Sequence, residues 1–156
     1  MDEDNHVTES DAYATAIALL ARREHSVREL TVKLGARGVS AAMAAVVIAR
    51  LIAERLQSDE RFAEVYLRQR SAKGYGPIRI ALELRERGID DALVSAELRR
   101  VADEGEIDWF VCALMAYSKK YGVRPIADIK ERAKRMRFLQ YRGFSHEQIA
   151  AAIERE

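Results

Sequence analysis

Apolar residues recur at intervals of three and four along most of the chain, the period of amphipathic α-helices. Tyr13, Ile17 and Leu20 share one face; Val27, Leu30 and Leu34 share the next, and Ala44, Val47 and Leu51 a third. The pattern returns as Phe62, Val65 and Tyr66, then Ile80 and Leu84, then Val94, Leu98 and Val101. It returns again as Phe110, Leu114, Tyr117 and Tyr121, then Ile129, Ala133 and Met136, then Ile149 and Ile153. "AAVVIARLIAERL" is rich in β-branched residues, yet too long and too alanine-rich for a strand. The fold class is all-α.

One short skeleton punctuates these helices three times: "LGARGVS" from Leu34, "LRERGID" from Leu84 and "LQYRGFS" from Leu139. A glycine just past a helix end adopts the left-handed conformation, and the apolar residue after it folds back on the last turn. That rule pairs Leu34 with Val39, Leu84 with Ile89 and Leu139 with Phe144. Ser40, Asp90 or Ser145 then caps a following helix, and Gln148 completes a capping box with Ser145. Another helix precedes each pair: Ala12 to Arg23, before the Ser26–Glu29 capping box; one opened by Ser58; and Asp108 to Tyr121. A middle helix from Pro125 to Gly143 would be longer than its counterpart from Pro77 to Gly88.

A recurrence at roughly 50 residues marks tandem structural repeats. The expected organisation is an acidic leader over 1–11, read as variable or disordered, followed by three-helix repeats over 12–56, 57–104 and 105–156. Small units of this kind support one another by stacking, which predicts an elongated, curved body with a long face for a partner.

Composition narrows the function. Of 156 residues, 49% are hydrophobic, enough for a folded core, and 26 basic against 25 acidic side chains give a net charge of +1. Total charge therefore points neither to a histone-like DNA binder nor to an acidic tail. The start "MDEDNHVTES" is no secretory signal, and no run approaches the ~18 apolar residues of a membrane span. A soluble, cytoplasmic protein is expected, with no membrane contact and most simply a monomer. Cys112 is the single cysteine and the histidines number three. No disulfide, zinc site or other cofactor is expected, and Cys112 reads as a buried, inert thiol. Trp109 reads as core. Acidic pairs at caps and turns have no histidine, serine or cysteine neighbour to make them catalytic, so the chain is read as no enzyme.

Charge is segregated along the chain. Residues 61–87 hold seven basic and three acidic side chains, residues 90–108 two and seven, and residues 119–142 nine and two. Ordinary solvated helix faces would look like this. "RQRSAKGYGPIRI", Arg68 to Ile80, differs, because two glycines and a proline break the helix where Lys73, Tyr75 and several arginines crowd together. Gly76 before Pro77 suits a helix start. Tyr75 is either exposed to stack on a base or guanidinium, or folded inward as a staple between helices. "KGYG" lacks the spacing and the preceding strand of a phosphate loop. Arg87, like Arg37 and Arg142, either stabilises a helix end or reaches a partner.

"SAKGYGPIRIALELRERGI" resembles the most recognisable stretch of the RecX family, bacterial regulators of the RecA recombinase. "SDERFAEVYLRQR" and "ALLARREHSVRELTVKL" resemble the family's second-unit opening helix and its first unit, and "RFLQYRGFSHEQI" its closing part. The resemblance runs in order from about Tyr13 to Ile153. It implies a tandem three-helix protein that binds the RecA filament in its groove. It also implies suppression of RecA's ATPase, strand exchange and co-protease activities, and hence a part in recombination, DNA repair and the SOS response. Partner contacts are expected first at Arg68, Arg70, Lys73, Tyr75 and Arg79, then at Lys119, Lys120, Arg124, Arg132 and Arg135. They would reach RecA or the single-stranded DNA within its filament. The alternative is a sequence-nonspecific DNA-binding helical module that competes for single-stranded DNA and binds free DNA, a reading the near-neutral chain weakens.

Overall fold

Helix caps divide the chain as the turn chemistry requires. The computed structural model describes residues 6–154, and within them lie nine α-helices and no strand: α1 (Glu9–Arg22), α2 (Val27–Ala36), α3 (Ala41–Ala53), α4 (Asp59–Ala72), α5 (Pro77–Glu86), α6 (Asp91–Asp103), α7 (Trp109–Tyr121), α8 (Ile129–Arg142) and α9 (His146–Glu154). They form three successive helix triplets. Residues 1–5 of the expected acidic leader lie outside the described residues. Its remainder enters α1, where Thr8 and Asp11 make a reciprocal capping box, so the helix begins three residues before Ala12.

All three glycines take the left-handed conformation that their spacing predicts. Gly38, Gly88 and Gly143 have φ of 85°, 82° and 95°. The Val39 N–H donates to the Leu34 carbonyl at 3.1 Å, and the Phe144 N–H to that of Leu139 at 3.2 Å. Leu34, Leu84 and Leu139 are fully buried, with Val39, Ile89 and Phe144 buried beside them. Ser26, Ser40, Asp90 and Asp108 cap the helices that follow them, and the Ser145–Gln148 box is present.

The third triplet departs from expectation at its middle helix. Pro125 does not start α8; residues 122–128 form a connection, and Asp128 is the cap. Ile129 and Met136 face solvent, and Arg135 with Leu139 lies on the buried face instead. The Arg135 guanidinium reaches back to the carbonyls of Arg124 and Pro125 at 2.9 and 3.3 Å, holding those residues out of the helix. Phe110 is also exposed, whereas Trp109 is buried.

Two units can be distinguished. One runs to Ala63 and includes the turn Arg87–Ile89; the other comprises Glu64–Glu86 and the chain from Asp90 onward. In the first, α1, α2 and α3 enclose Leu30, Leu34, Val47 and Leu51. There the Ser26 hydroxyl donates to the Arg87 carbonyl at 2.8 Å, and a Cβ on Gly88 would lie 2.7 Å from that of Arg28. In the second, α7, α8 and α9 enclose Ala113, Tyr117, Leu139, Phe144 and Ile149. No helix is long and apolar enough to cross a membrane among the described residues.

Candidate functional site

The break between α4 and α5 uses the same turn grammar with polar partners. The Tyr75 N–H donates to the Arg70 carbonyl at 3.2 Å and the Gly74 N–H to that of Ser71 at 3.1 Å, with Gly74 at φ 87°. Tyr75 therefore occupies the position that folds back on the last helical turn. Its ring meets not an aliphatic side chain but the Arg70 guanidinium, 3.8 Å from the ring centroid. Arg142 and Arg79 approach the same ring at 4.7 and 4.9 Å. Tyr75 is half-buried among three cations, which combines the inward and the cation-stacking readings of its sequence.

Glu83 on α5 orders this cluster. It accepts two hydrogen bonds from Arg70, at 2.8 and 3.0 Å, one from Arg79 at 3.2 Å and one from the Tyr66 hydroxyl at 2.7 Å. Burial pushes its carboxyl up, but the bonds from Arg70, Tyr66 and Arg79 together outweigh burial and hold it below the usual glutamate range. One carboxylate against three guanidiniums leaves the cluster cationic.

The helix start at Gly76 grips the α8–α9 turn. The Gly76 N–H donates to the Arg142 carbonyl at 2.7 Å and the Ile78 N–H to the Gly143 carbonyl at 3.0 Å. Arg79 adds a bond to the Tyr141 carbonyl at 3.1 Å, and Arg142 returns one to the Lys73 carbonyl at 3.2 Å. The free amides at one helix start thus meet the free carbonyls of another helix's end, a pairing the helix dipoles favour. It requires bare backbone, since a Cβ at Gly76 would lie 2.4 Å from the Gly143 oxygen.

Beside this junction lies a groove of about 1000 Å³ between the end of α4 and the face of α7. Its floor is apolar, carrying Val111, Cys112, Met115 and Ala116 of α7 with Phe138 of α8. Lys73, Lys119, Lys120 and Arg142 line one end, and Glu106 and Asp108 the other. The three lysines are exposed, and no carboxylate of the described residues lies within ion-pair distance of them.

The expected contact residues thus divide. Arg70, Tyr75 and Arg79 converge on one cluster, while Lys73, Lys119 and Lys120 share the rim of the groove. Arg68 lines that groove too, but is held by Glu64 and Glu106 at 3.0 and 3.2 Å. Arg124 is exposed and bonds the carbonyls of Lys120 and Tyr121, closing the end of α7. Arg132 faces Glu154 at 3.7 Å. Arg135 is corrected: only 3% exposed, it binds the Tyr117 hydroxyl, the Glu131 carboxylate and the two loop carbonyls, so it presents no surface to a partner. Sequence reasoning missed Glu83, Tyr66 and Arg142 as parts of the cluster. The Arg79–Glu83 pair was readable from its four-residue helical spacing; the others come together only through the fold.

Among the described residues, no group of three His, Cys, Asp or Glu side chains is placed to hold a metal ion. Cys112 is half-buried, and burial pushes its thiol up, away from the reactive thiolate. The cationic side chains of the cluster and the groove rim suit contacts with anions.

Family models described as the first, second and third three-helix domains of RecX match residues 12–51, 58–98 and 106–153. The regulatory protein RecX of Halorhodospira halophila is 41% identical over 137 residues, covering 88% of this chain and 83% of its own. That of Chromohalobacter salexigens is 45% identical over 139 residues, covering 88% of each. The crystal structure of RecX from Lactobacillus salivarius superposes with a TM-score of 0.73 at 24% identity, covering 94% of both chains. A second crystal structure, of a regulatory protein RecX, gives 0.77 at 20% identity over 95% of this chain and 73% of that one. These two structures speak to the fold alone.

Proposed function

The chain belongs to the RecX family, and on that premise we propose that it is a non-catalytic regulator that binds the RecA–single-stranded DNA filament in its groove. Binding suppresses RecA's ATPase, strand exchange and co-protease activities. The observation that carries this reading is the pairing of a cationic cluster, Arg70, Arg79 and Arg142 around Tyr75, with lysines 73, 119 and 120 of the same unit, which have no ion-pair partner among the described residues. Such cations supply phosphate or carboxylate contacts without any reacting group.

Arg70 and Arg79 hold Glu83, so reversing their charge would damage the unit as well as the surface. Lys73, Lys119 and Lys120 are exposed, and reversing them breaks no ion pair among the described residues and only the contact of Lys120 with the Phe138 ring. The Lys73→Glu, Lys119→Glu, Lys120→Glu triple variant should keep its helical circular dichroism and suppress RecA's ATPase less well. Full suppression by the folded triple variant would refute the assignment.

The same lysines favour a second reading, in which the chain competes for bare single-stranded DNA. It predicts tight binding to naked DNA, falling steeply with salt as counterions are released. Affinities for naked and RecA-coated DNA at one salt concentration separate the two, and the filament reading requires the coated strand to bind more tightly.

A further inference from the structure

We infer that the groove between α4 and α7 is a docking site for a protein segment, one carrying acidic residues beside a bulky apolar side chain. This rests on the filament reading above and assigns the groove to the protein component of the filament rather than to its DNA.

The floor argues for an apolar anchor. Val111 and Met115, four residues apart on α7, are 45% and 67% exposed, where a monomeric surface would ordinarily favour polar residues. Cys112 and Ala116 continue the same face toward the wall made by α4. Methionine is flexible and polarisable, so it moulds to an incoming side chain. At about 1000 Å³ the groove has room for more than one such side chain.

The rim selects the sign of the segment. Lys73, Lys119 and Lys120 stand at one end, and no carboxylate of the described residues lies within ion-pair distance of them. Carboxylates on the incoming segment would complete these lysines, while its apolar side chain covers Met115.

A nucleic acid strand fits less well for two reasons. Bases bind on open aromatic faces, but the one aromatic ring of the floor, Phe138, is already approached by Lys120 at 4.7 Å and Arg142 at 5.1 Å. A phosphate track also needs cations along its length. At the far end of this groove stand Glu106 and Asp108, and the bonds from Arg68 and Arg100 hold the Glu106 carboxyl below its usual range, hence ionised.

The single cysteine of the chain lies on the floor and serves as a reporter. Alkylation of Cys112 in the full chain by iodoacetamide, read by mass spectrometry, should slow in proportion to the fraction bound when RecA–oligo(dT) filaments are added. Saturating oligo(dT) alone should leave the rate unchanged. Met115→Glu, at an exposed position, should retain the fold by circular dichroism and bind filaments about tenfold more weakly, having lost its apolar contact. Lys119→Glu should weaken binding as well. Equal protection by oligo(dT) alone would overturn the proposal in favour of a nucleic acid occupant. Unprotected Cys112 on filaments that do bind the chain, or wild-type filament binding by Met115→Glu, would overturn it while leaving the filament reading intact. Failure of the wild-type chain to bind filaments at all would overturn both.

Discussion

Replacing Gly76 with alanine adds one methyl group where the α5 start meets the α8–α9 turn. The added carbon would lie 2.4 Å from the Gly143 oxygen, 2.5 Å from its carbonyl carbon and 2.7 Å from the Phe144 nitrogen. All three are backbone atoms, so no flexible side chain can yield, and the two elements must separate. Separation weakens two hydrogen bonds, from the Gly76 and Ile78 amides, each contributing about 1 kcal/mol net. Alternatively the clash persists as overpacking, at about 1–3 kcal/mol. Alanine restricts the unfolded chain more than glycine does, which offsets roughly 0.5–1 kcal/mol. A net loss of about 1–1.5 kcal/mol is expected, or roughly a 0.5–0.75 M drop in the urea midpoint at an m-value of about 2 kcal/mol/M. Trp109, the one tryptophan, lies buried in the same unit and reports the transition by fluorescence. Gly35 provides the contrast: it sits within α2 with nothing within 4 Å of an added Cβ. Gly35→Ala should stabilise by roughly 0.5–1 kcal/mol. A Gly76→Ala variant within about 0.5 kcal/mol of wild type, the range of neutral surface changes, would refute the close-approach reasoning.

Three further outcomes are expected. Arg135→Ala should lower the urea midpoint more than Lys134→Ala and speed amide exchange in residues 122–128, because only Arg135 ties the loop carbonyls and Tyr117 together. His25 is buried between the Arg23 carbonyl and the Lys33 ammonium, with Glu29 nearby, and burial holds its pKa below the ordinary 6.5. The unfolded chain then takes up this proton first, so stability falls as pH drops below 6.5. His25→Gln should flatten that slope above about 5.5, roughly a unit above the ordinary glutamate value of 4.5, before Glu29 and Glu83 of the unfolded chain begin to take up protons. Finally, inhibition of RecA should scale with filament length at fixed chain concentration; scaling with the number of filament ends would replace groove binding with capping.

The helix order was legible because stops and starts are local. A glycine, the leucine four residues before it and the cap two residues after it are all read within one turn of chain, and Gly38, Gly88 and Gly143 behave accordingly. The error at Pro125 has a tertiary cause. Proline suits a first helical turn, but here a guanidinium ten residues on holds the proline carbonyl. The same side chain turns inward and rotates Ile129 and Met136 out to solvent, against the apolar spacing. At the candidate site, the crowding of basic residues around Tyr75 was visible, whereas the sharing of Glu83 was not, because Arg70 and Glu83 lie on different helices. Arg142 was beyond reach for the same reason: it joins Tyr75 only when α8 ends against α5.

The Ser26 bond to the Arg87 carbonyl spans 61 residues of chain. The cap of α2 therefore finds its partner only after most of the next triplet has been made, and Gly76 likewise waits for Arg142. At about 5–20 residues per second of synthesis, the first wait lasts roughly 3–12 s. The first two triplets each leave the ribosome with the second helix start still uncovered, and the latch on each is supplied by the triplet that follows.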